Sequence, residues 1–284
     1  PMTILRKTAI GTAVLLMQLA CAYGFQDGSG AQVRKTLRIG RAAAAPVIDG
    51  RLTDPCWKKA AAASCFITLE GLWAIEQTTV YLTYDDACLY IAFHCDAPAR
   101  KESLRRSNKN DDLSVFQGDS VELFLDTNLD RTTYRHFCIN AAGTRYEAYC
   151  DSAKQFRDAG WNPDWLVKTA TEPRAWTAEI RIPFASLGTA APSRGTRWGV
   201  NLCRNSRNDP AGWAMISGGW NQPDKFGDLL FEDSPGISCS IVSLKNWPDV
   251  SELGLLIRNG QDSSAAVRAQ WTAGTISKTS SVRM

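Results

Sequence analysis

Histidine is scarce in this sequence of 284 residues, since His94 and His136 are the only two. Two histidines leave little room for a histidine-rich metal centre or a Ser-His-Asp triad, and no nucleophile-elbow motif accompanies them. Cys-x-x-Cys pairs and phosphate-binding glycine-rich loops are also absent from the sequence. These absences argue against zinc ribbons and nucleotide-binding sites.

The chain also lacks a strong excess of charge of one sign. It has 32 Lys and Arg residues against 29 Asp and Glu residues, for a formal net charge of +3. The basic residues are scattered, so no stripe suited to a nucleic-acid backbone forms. The apolar run Ala9–Leu19 is too short to span a bilayer. We therefore expect neither a nucleic-acid partner nor a transmembrane segment.

Residues 1–24 have the organisation of a secretory signal peptide. Arg6 and Lys7 form a positive region, the apolar run follows it, and small residues up to Ala22 form a cleavage site. We expect export followed by removal of this segment, which places the mature protein in the periplasm, at the cell surface or outside the cell. Lipidation of Cys21 is the alternative at this site.

Export permits disulfide bonds, and eight cysteines remain once Cys21 is set aside. Their many possible pairings cannot be resolved from the sequence. Cys138 and Cys203 lie in predicted strands beside apolar residues, where cysteine often behaves as a small buried hydrophobe. We expect one or two bridges at most.

Short strands separated by turn signals follow residue 46, and this rhythm predicts an all-β fold. The predicted hairpins join 79–84 to 89–93 and 134–140 to 145–149, and further alternating strands are predicted around 178–182 and 198–203. A short helix is predicted within 54–62. The expected fold is an antiparallel β-sandwich of immunoglobulin or jelly-roll type over residues 46–233, preceded by a linker at 25–45.

The sequence changes character after Asp233. A break at 234–236 precedes three further alternating segments, at 237–244, 253–258 and 265–271. Three strands are too few for an independent sandwich. Residues 234–284 therefore look like the opening of a second, truncated β-domain, and a C-terminal extension packed on the first domain is the alternative.

Residues 116–126 (FQGDSVELFLD) combine strand alternation with aromatic and hydrogen-bonding groups. Val121, Leu123 and Leu125 share one face, while Glu122 lies on the other. Four more segments accompany this motif: 48–57 (IDGRLTDPCW), 84–93 (YDDACLYIAF), 176–184 (WTAEIRIPF) and 220–227 (WNQPDKFG). In this order along the chain, the five segments resemble family 9 carbohydrate-binding modules.

The resemblance implies a β-sandwich that binds poly- or oligosaccharide of the β-glucan or xylan type. It also implies a role in glycan breakdown, with a glycoside hydrolase domain in the same or a neighbouring chain. Modules of this family hold a sugar between two aromatic side chains, and the matching positions are Phe116 and Trp220. Glu122 matches the carboxylate that reads the sugar hydroxyls.

The sequence departs from the family pattern in two places. Phe116 stands where Trp is expected, and Cys138 stands where the family has an Arg that hydrogen-bonds the ligand. Polar residues on nearby strands could compensate if they share the face of Glu122. The candidates are His136 and Asn201, with Tyr134 and Asn205.

Asp119 and Glu122 invite a glycosidase interpretation, because paired carboxylates hydrolyse glycosidic bonds. Residues three apart on a strand point to opposite faces, so these two cannot converge on one bond. We therefore predict a non-catalytic module.

Asp126, Asn128 and Asp130 form an Asp-x-Asn-x-Asp segment like the start of a calcium loop. Arg131 and Phe137 replace the Gly and Glu that an EF-hand needs. The segment predicts a polar turn, and the family resemblance keeps structural calcium open with these three residues as ligands.

The sequence leaves two alternative functions open besides carbohydrate binding. Related sandwiches can house haem b, for which Met215, His94 and His136 would be the available axial ligands. A structural or cell-surface adhesion domain is the other alternative, and it would suit a second β-domain.

Overall fold

The computed structural model describes residues 34–234 except 71, 73, 98–112, 207–208, 215 and 217, together with the backbone of five further strands. Those five are β1 (Thr3–Arg6) and the C-terminal β16 (Ile237–Lys245), β17 (Glu252–Asn259), β18 (Ala266–Ala273) and β19 (Ile276–Arg283). The segment predicted as the apolar part of a signal peptide, with Cys21, lies outside the described residues.

One short helix and fourteen strands make up the described part of residues 34–234. The helix is α1 (Pro55–Lys59), within the predicted 54–62. The strands are β2 (Thr36–Ile39), β3 (Ala61–Ala63), β4 (Ile67–Thr68), β5 (Thr78–Tyr84), β6 (Cys88–Asp96), β7 (Ser120–Asp126), β8 (Thr133–Asn140), β9 (Arg145–Asp151), β10 (Phe156–Asp158), β11 (Leu166–Glu172), β12 (Ala175–Pro183), β13 (Arg197–Asn205), β14 (Ala211–Gly212) and β15 (Gly227–Phe231). Short 3₁₀ turns occur at Leu113–Gln117, Phe184–Leu187 and Pro223–Lys225.

The strands form two main sheets. The larger runs β10-β9-β8-β7-β13-β14-β4, with β15 paired to both β13 and β2. The smaller runs β11-β12-β6-β5-β3. All pairs within these two sheets are antiparallel except β2 with β15. The predicted all-β sandwich is confirmed, as are both predicted hairpins.

The predicted linker is wrong in part, because residues 36–39 form β2 inside the larger sheet. Leu37 pairs with Leu229 and Ile39 with Phe231, and both β2 side chains are buried. Alternation of Leu37 and Ile39 with polar neighbours is itself a strand pattern. The polar composition of the flanking residues concealed it, and the sandwich begins before residue 46.

The alternation in strand β12 is typical of a strand with one buried face, yet its polar face is covered as well. Glu179 has no exposed surface, and its carboxylate accepts hydrogen bonds from the N–H groups of Asp49 (2.9 Å) and Gly50 (2.8 Å) and from Nε1 of Trp57 (2.7 Å). The segment carrying α1 therefore lies across the outer face of the smaller sheet. A second apolar cluster containing Trp57 and Tyr90 forms under it.

Arg204 joins the two sheets through a buried ion pair. Its Nε and NH2 groups donate to Oδ1 (2.8 Å) and Oδ2 (2.7 Å) of Asp119, and its NH1 donates to the Asp96 carbonyl (2.8 Å). Trp176 of β12 donates its Nε1–H to the same Asp119 carboxylate at 2.9 Å. One guanidinium thus ties β13 of the larger sheet to β6 of the smaller one.

The seven cysteines whose side chains are described are all free, so the expected disulfide is not found among them. Cys138 and Cys203 are completely buried, as predicted, and they flank Glu122 on the strands to either side. Strand β7 lies between them, and two inter-strand spacings place them about 9.5 Å apart, which is too far for a disulfide bond.

The C-terminal strands β16, β17 and β18 form where the sequence predicted them. Strand β17 pairs with β16 and with β1, and β18 pairs with β19. Their assignment to a second, truncated domain stays a prediction. Among the described residues no helix has the length and apolarity to cross a membrane.

Candidate carbohydrate-binding site

Strands β7, β8 and β13 bring four polar or aromatic side chains to one face of the larger sheet, called here the site face. Phe124 lies opposite His136, Glu122 lies opposite Cys138, and Ser120 lies opposite Asn205. Directly paired residues share a face. Glu122, Phe124, His136 and Asn205 are therefore held by the sheet register rather than by a loop.

The segment after β14 covers part of the site face. Phe226 packs against Phe124, with ring centroids 5.6 Å apart, and against Tyr134 at 5.7 Å. Gly212 lets the Trp220 ring approach, because a Cβ at that position would lie 3.0 Å from the ring. Trp220 is consequently 92% buried, and only part of it faces solvent.

A cavity of about 600 Å³ remains between this segment, the 3₁₀ turn at Leu113–Gln117 and the edge strand β10. It is lined by Phe116, Gly118, Glu122, His136, Arg157, Asn205, Ser206, Pro210, Trp220 and Asn221. Phe116 stands on the Tyr146 ring, with centroids 5.3 Å apart. The cavity thus combines aromatic walls with a polar floor.

A chain of hydrogen bonds forms the floor. His136 Nε2 bonds to Oε2 of Glu122. Asn205 donates through Nδ2 to Oε1 of the same carboxylate at 2.6 Å. Trp220 donates its Nε1–H to Oδ1 of Asn205 at 3.1 Å. These bonds fix the orientation of the Asn205 amide and leave each Glu122 oxygen with a further lone pair.

Glu122 is nearly buried, yet it keeps its charge. Burial raises the pKa of the Glu122 carboxyl, but the hydrogen bond and charge of His136, together with the Asn205 amide, outweigh it and hold that pKa below its ordinary value. An ionised carboxylate only accepts hydrogen bonds. His136 Nε2 therefore carries a proton.

His136 is held by stacking as well as by this bond. Its ring lies 4.4 Å from the Phe124 ring at an interplanar angle of 10°. Its Nδ1 is buried and has no hydrogen-bond partner among the described residues. The ring is therefore positioned by the bond to Glu122 and by its aromatic neighbours, Phe124 on its face and Tyr146 edge-on at 5.7 Å.

The structure brings together four of the five predicted carbohydrate-binding residues: Phe116, Glu122, His136 and Trp220. Asn201 does not line the cavity, and that prediction is wrong. It shares the site face, but it is fully buried and its Oδ1 accepts the N–H groups of Leu202 (3.0 Å) and Ala214 (3.1 Å). The sequence shows which face of the strand Asn201 occupies, but it does not show that a later segment covers this residue.

Arg157 is the charged lining residue that the sequence did not reveal. It lies on β10, a strand of three exposed residues, and pairs with Cys150 of β9. Three residues show no recognisable periodicity. Only the register places Arg157 on the site face.

Asp126, Asn128 and Asp130 do not fit a calcium site. The Asp126 carboxylate accepts the backbone N–H groups of Asp130 (3.2 Å) and Arg131 (2.9 Å). The Asp130 carboxylate accepts donors of Thr132 and Thr133 and the amide of Asn128. All four carboxylate oxygens of Asp126 and Asp130 thus accept hydrogen bonds from groups within the turn itself. Nor does the described part of the chain contain a group of three or more His, Cys, Asp or Glu side chains placed to bind a metal.

Asp119 and Glu122 serve different purposes, as strand parity predicted. Asp119 is bound to Arg204 and Trp176, and Glu122 lies at the cavity floor. Of the proposed haem ligands, His94 lies on β6 in the smaller sheet and His136 on β8 in the larger. Met215 lies outside the described residues.

Comparison with known proteins assigns the family. Residues 48–234 match the model of the carbohydrate family 9 binding domain-like family. This match covers most of the chain, and the protein belongs to that family.

Two enzymes are similar to this chain. Endo-1,4-beta-xylanase A of Thermoanaerobacterium saccharolyticum is 28% identical over 197 residues, which are 67% of this chain and 16% of the enzyme. Exoglucanase XynX of Acetivibrio thermocellus is 26% identical over 253 residues, which are 80% of this chain and 21% of the enzyme. The chain thus spans only about a fifth of the length of these relatives.

A solved structure shares the fold. The family 9 carbohydrate-binding module of Caldicellulosiruptor kristjanssonii, in complex with cellotriose, superposes with a TM-score of 0.54 at 21% identity, covering 70% of this chain and 94% of that one. Its complex with glucose gives the same TM-score and identity.

Proposed function

We propose that the cavity binds an oligosaccharide or a polysaccharide end of the β-glucan or xylan type. The observation that carries this proposal is the continuous bonded chain from Trp220 through Asn205 to Glu122, set between aromatic walls. A pyranose ring presents apolar C–H faces and a rim of hydroxyls, so it matches such a surface. The complexes of the related Caldicellulosiruptor module with cellotriose and glucose support the assignment.

The carboxylate and the aromatic groups contribute by different physical effects. Glu122 is ionised and already oriented, so it accepts hydroxyl hydrogen bonds without reorganisation; bonds to charged groups contribute about 1.5–3 kcal/mol. Phe116 offers a partly exposed ring whose burial by a sugar adds about 1.5–3 kcal/mol. Trp220 contributes mainly through the edge left uncovered and through its bond to Asn205.

The chain acts, in this proposal, as a non-catalytic module. Glycosyl hydrolysis needs two carboxyl groups flanking the scissile bond, and Glu122 is the only carboxylate among the described lining residues. The similarity to a xylanase and an exoglucanase supports a role in glycan breakdown, with a glycoside hydrolase domain in the same or a neighbouring chain. Export through residues 1–24 would place the module where such glycans occur.

Two measurements test this function. Titration calorimetry with cello- and xylo-oligosaccharides should show saturable one-site binding that Glu122→Gln weakens by about tenfold or more, through loss of the charged acceptor. The same sugars should release no reducing ends when incubated with the protein. Absence of binding to every sugar would refute the proposal, and turnover abolished by Glu122→Gln would refute its non-catalytic part.

A further inference from the structure

Arg157 brings to the cavity a positive charge without a carboxylate partner. It is exposed at the cavity wall, and no carboxylate of the described residues lies within ion-pair distance of its guanidinium. By contrast, Arg204 is paired with Asp119, Arg131 with Asp228, and Arg194 with Glu232. A cation with no anionic partner beside aromatic walls is placed to receive an anion.

No neighbour of Arg157 among the described residues forms an ion pair with it. Its guanidinium is hydrogen-bonded to the Cys150 thiol, and burial raises the pKa of that thiol, so the sulfur stays protonated. The charge of Arg157 acts on Glu122, the carboxylate at the floor, and helps to hold the pKa of that carboxyl low, but the hydrogen bonds of Glu122 go to His136 and Asn205 rather than to Arg157.

The strand register determines where Arg157 lies relative to Glu122 at the floor of the cavity. Arg157 pairs with Cys150, which pairs with Tyr134, and the Tyr134 hydroxyl donates to Oδ1 of Asn221 at 3.2 Å. Glu122 lies two residues from Phe124 along β7. The acceptor and the cation therefore line one cavity without forming a direct ion pair.

We propose that the site selects an oligosaccharide carrying a hexuronic acid, whose carboxylate pairs with the guanidinium of Arg157 while its hydroxyls bind Glu122. This inference rests on the proposed function and names the ligand class within it. Guanidinium and carboxylate can form two parallel N–H···O bonds. With a neutral sugar, these guanidinium N–H groups would remain hydrogen-bonded to water.

The test compares sugars that differ only in the carboxylate. Xylo-oligosaccharides with and without a glucuronic acid branch, and cello-oligosaccharides against their terminally oxidised uronic analogues, separate a branch carboxylate from one in the main chain. Calorimetry at low and high salt would be run on the full chain, Arg157→Gln, Arg157→Glu and the control Arg194→Gln. Arg194 precedes β13, whose nine residues place it about 25 Å from Asn205.

The expected result is about tenfold tighter binding of the acidic sugar in at least one pair, reduced by salt. Arg157→Gln should remove this preference, because binding of the acidic sugar weakens about tenfold more than binding of the neutral one, while Arg157→Glu should reverse the preference and Arg194→Gln should retain it. Equal binding of acidic and neutral sugars, or an equal loss of both in Arg157→Gln, would overturn the inference but leave sugar binding intact. No binding of either sugar would overturn both proposals. Thermal unfolding would confirm that the variants fold.

Discussion

Glu122 is the residue on which the site depends. Its two oxygens hold His136 and Asn205, and through Asn205 they hold Trp220. Removing the carboxylate would leave the buried imidazole of His136 and the half-buried amide of Asn205 without their acceptor, which costs about 1–3 kcal/mol for the buried group. The same residue thus stabilises the fold and prepares the cavity for a ligand.

Stability should depend on pH through this carboxyl. The pKa of Glu122 is lower in the folded chain than its ordinary value, so the folded state binds fewer protons there. The stabilisation is present above the unfolded pKa of about 4.3 and is lost as pH falls through the lowered folded value.

Urea unfolding between pH 5 and pH 3 should therefore show a steeper loss of free energy of unfolding for the wild type than for Glu122→Gln. Because both proteins share the remaining carboxyl groups, the contribution of those groups to the pH dependence cancels in the comparison. Parallel pH profiles would show that the His136 and Asn205 contacts do not favour the ionised form.

At the scale of the strand elements, the two sheets are joined by more than apolar contact. Arg204 is 98% buried and connects β13 with the loop before β7 and with the end of β6. Breaking one partner of a buried pair leaves an uncompensated charge. The link lies at the same end of β13 as Asn205, so it also supports the floor of the cavity.

Asp119→Asn should destabilise the protein by about 3–5 kcal/mol, because the buried Arg204 loses its bidentate partner and keeps only the longer ion pair with Glu76 (3.4 Å). Asp228→Asn, which affects the part-exposed pairs with Arg131 and Arg197, is the matched control and should cost about 1 kcal/mol or less per pair. Chemical denaturation of both variants would measure the difference. Equal losses would mean that burial adds nothing to the Arg204 pair.

At the scale of the whole molecule, the sequence predicted the sandwich well because alternation and turns are local signals. The hairpins at 79–93 and 134–149 and the placing of Phe116, Glu122, His136 and Trp220 around one cavity required only strand parity and the family motifs. Asn201 was misplaced, and the roles of β2 and Arg157 were missed. Each of these depends on which segment lies against a strand from far along the chain, and that is long-range information.

The boundary of the sandwich gives a further prediction. A chain of residues 34–233 should fold cooperatively, whereas residues 46–233 should be less stable by at least about 3 kcal/mol. The shorter chain loses the buried Leu37 and Ile39, each contributing about 1.5–3 kcal/mol, and exposes the edge of β15. Denaturant midpoints of the two chains would measure this difference in stability. Equal stability would show that β2 is dispensable.

Calorimetric titration of cellotriose into Phe116→Ala tests whether the cavity beside Glu122 binds sugar. Phe156→Ala is the matched control, because Phe156 is an exposed aromatic, 52% accessible, on the opposite side of β10 from Arg157. We expect Phe116→Ala to bind about ten- to a hundredfold more weakly than the wild type, while Phe156→Ala binds equally well. Unchanged binding in Phe116→Ala, with affinity lost in Phe156→Ala, would place the sugar outside this cavity.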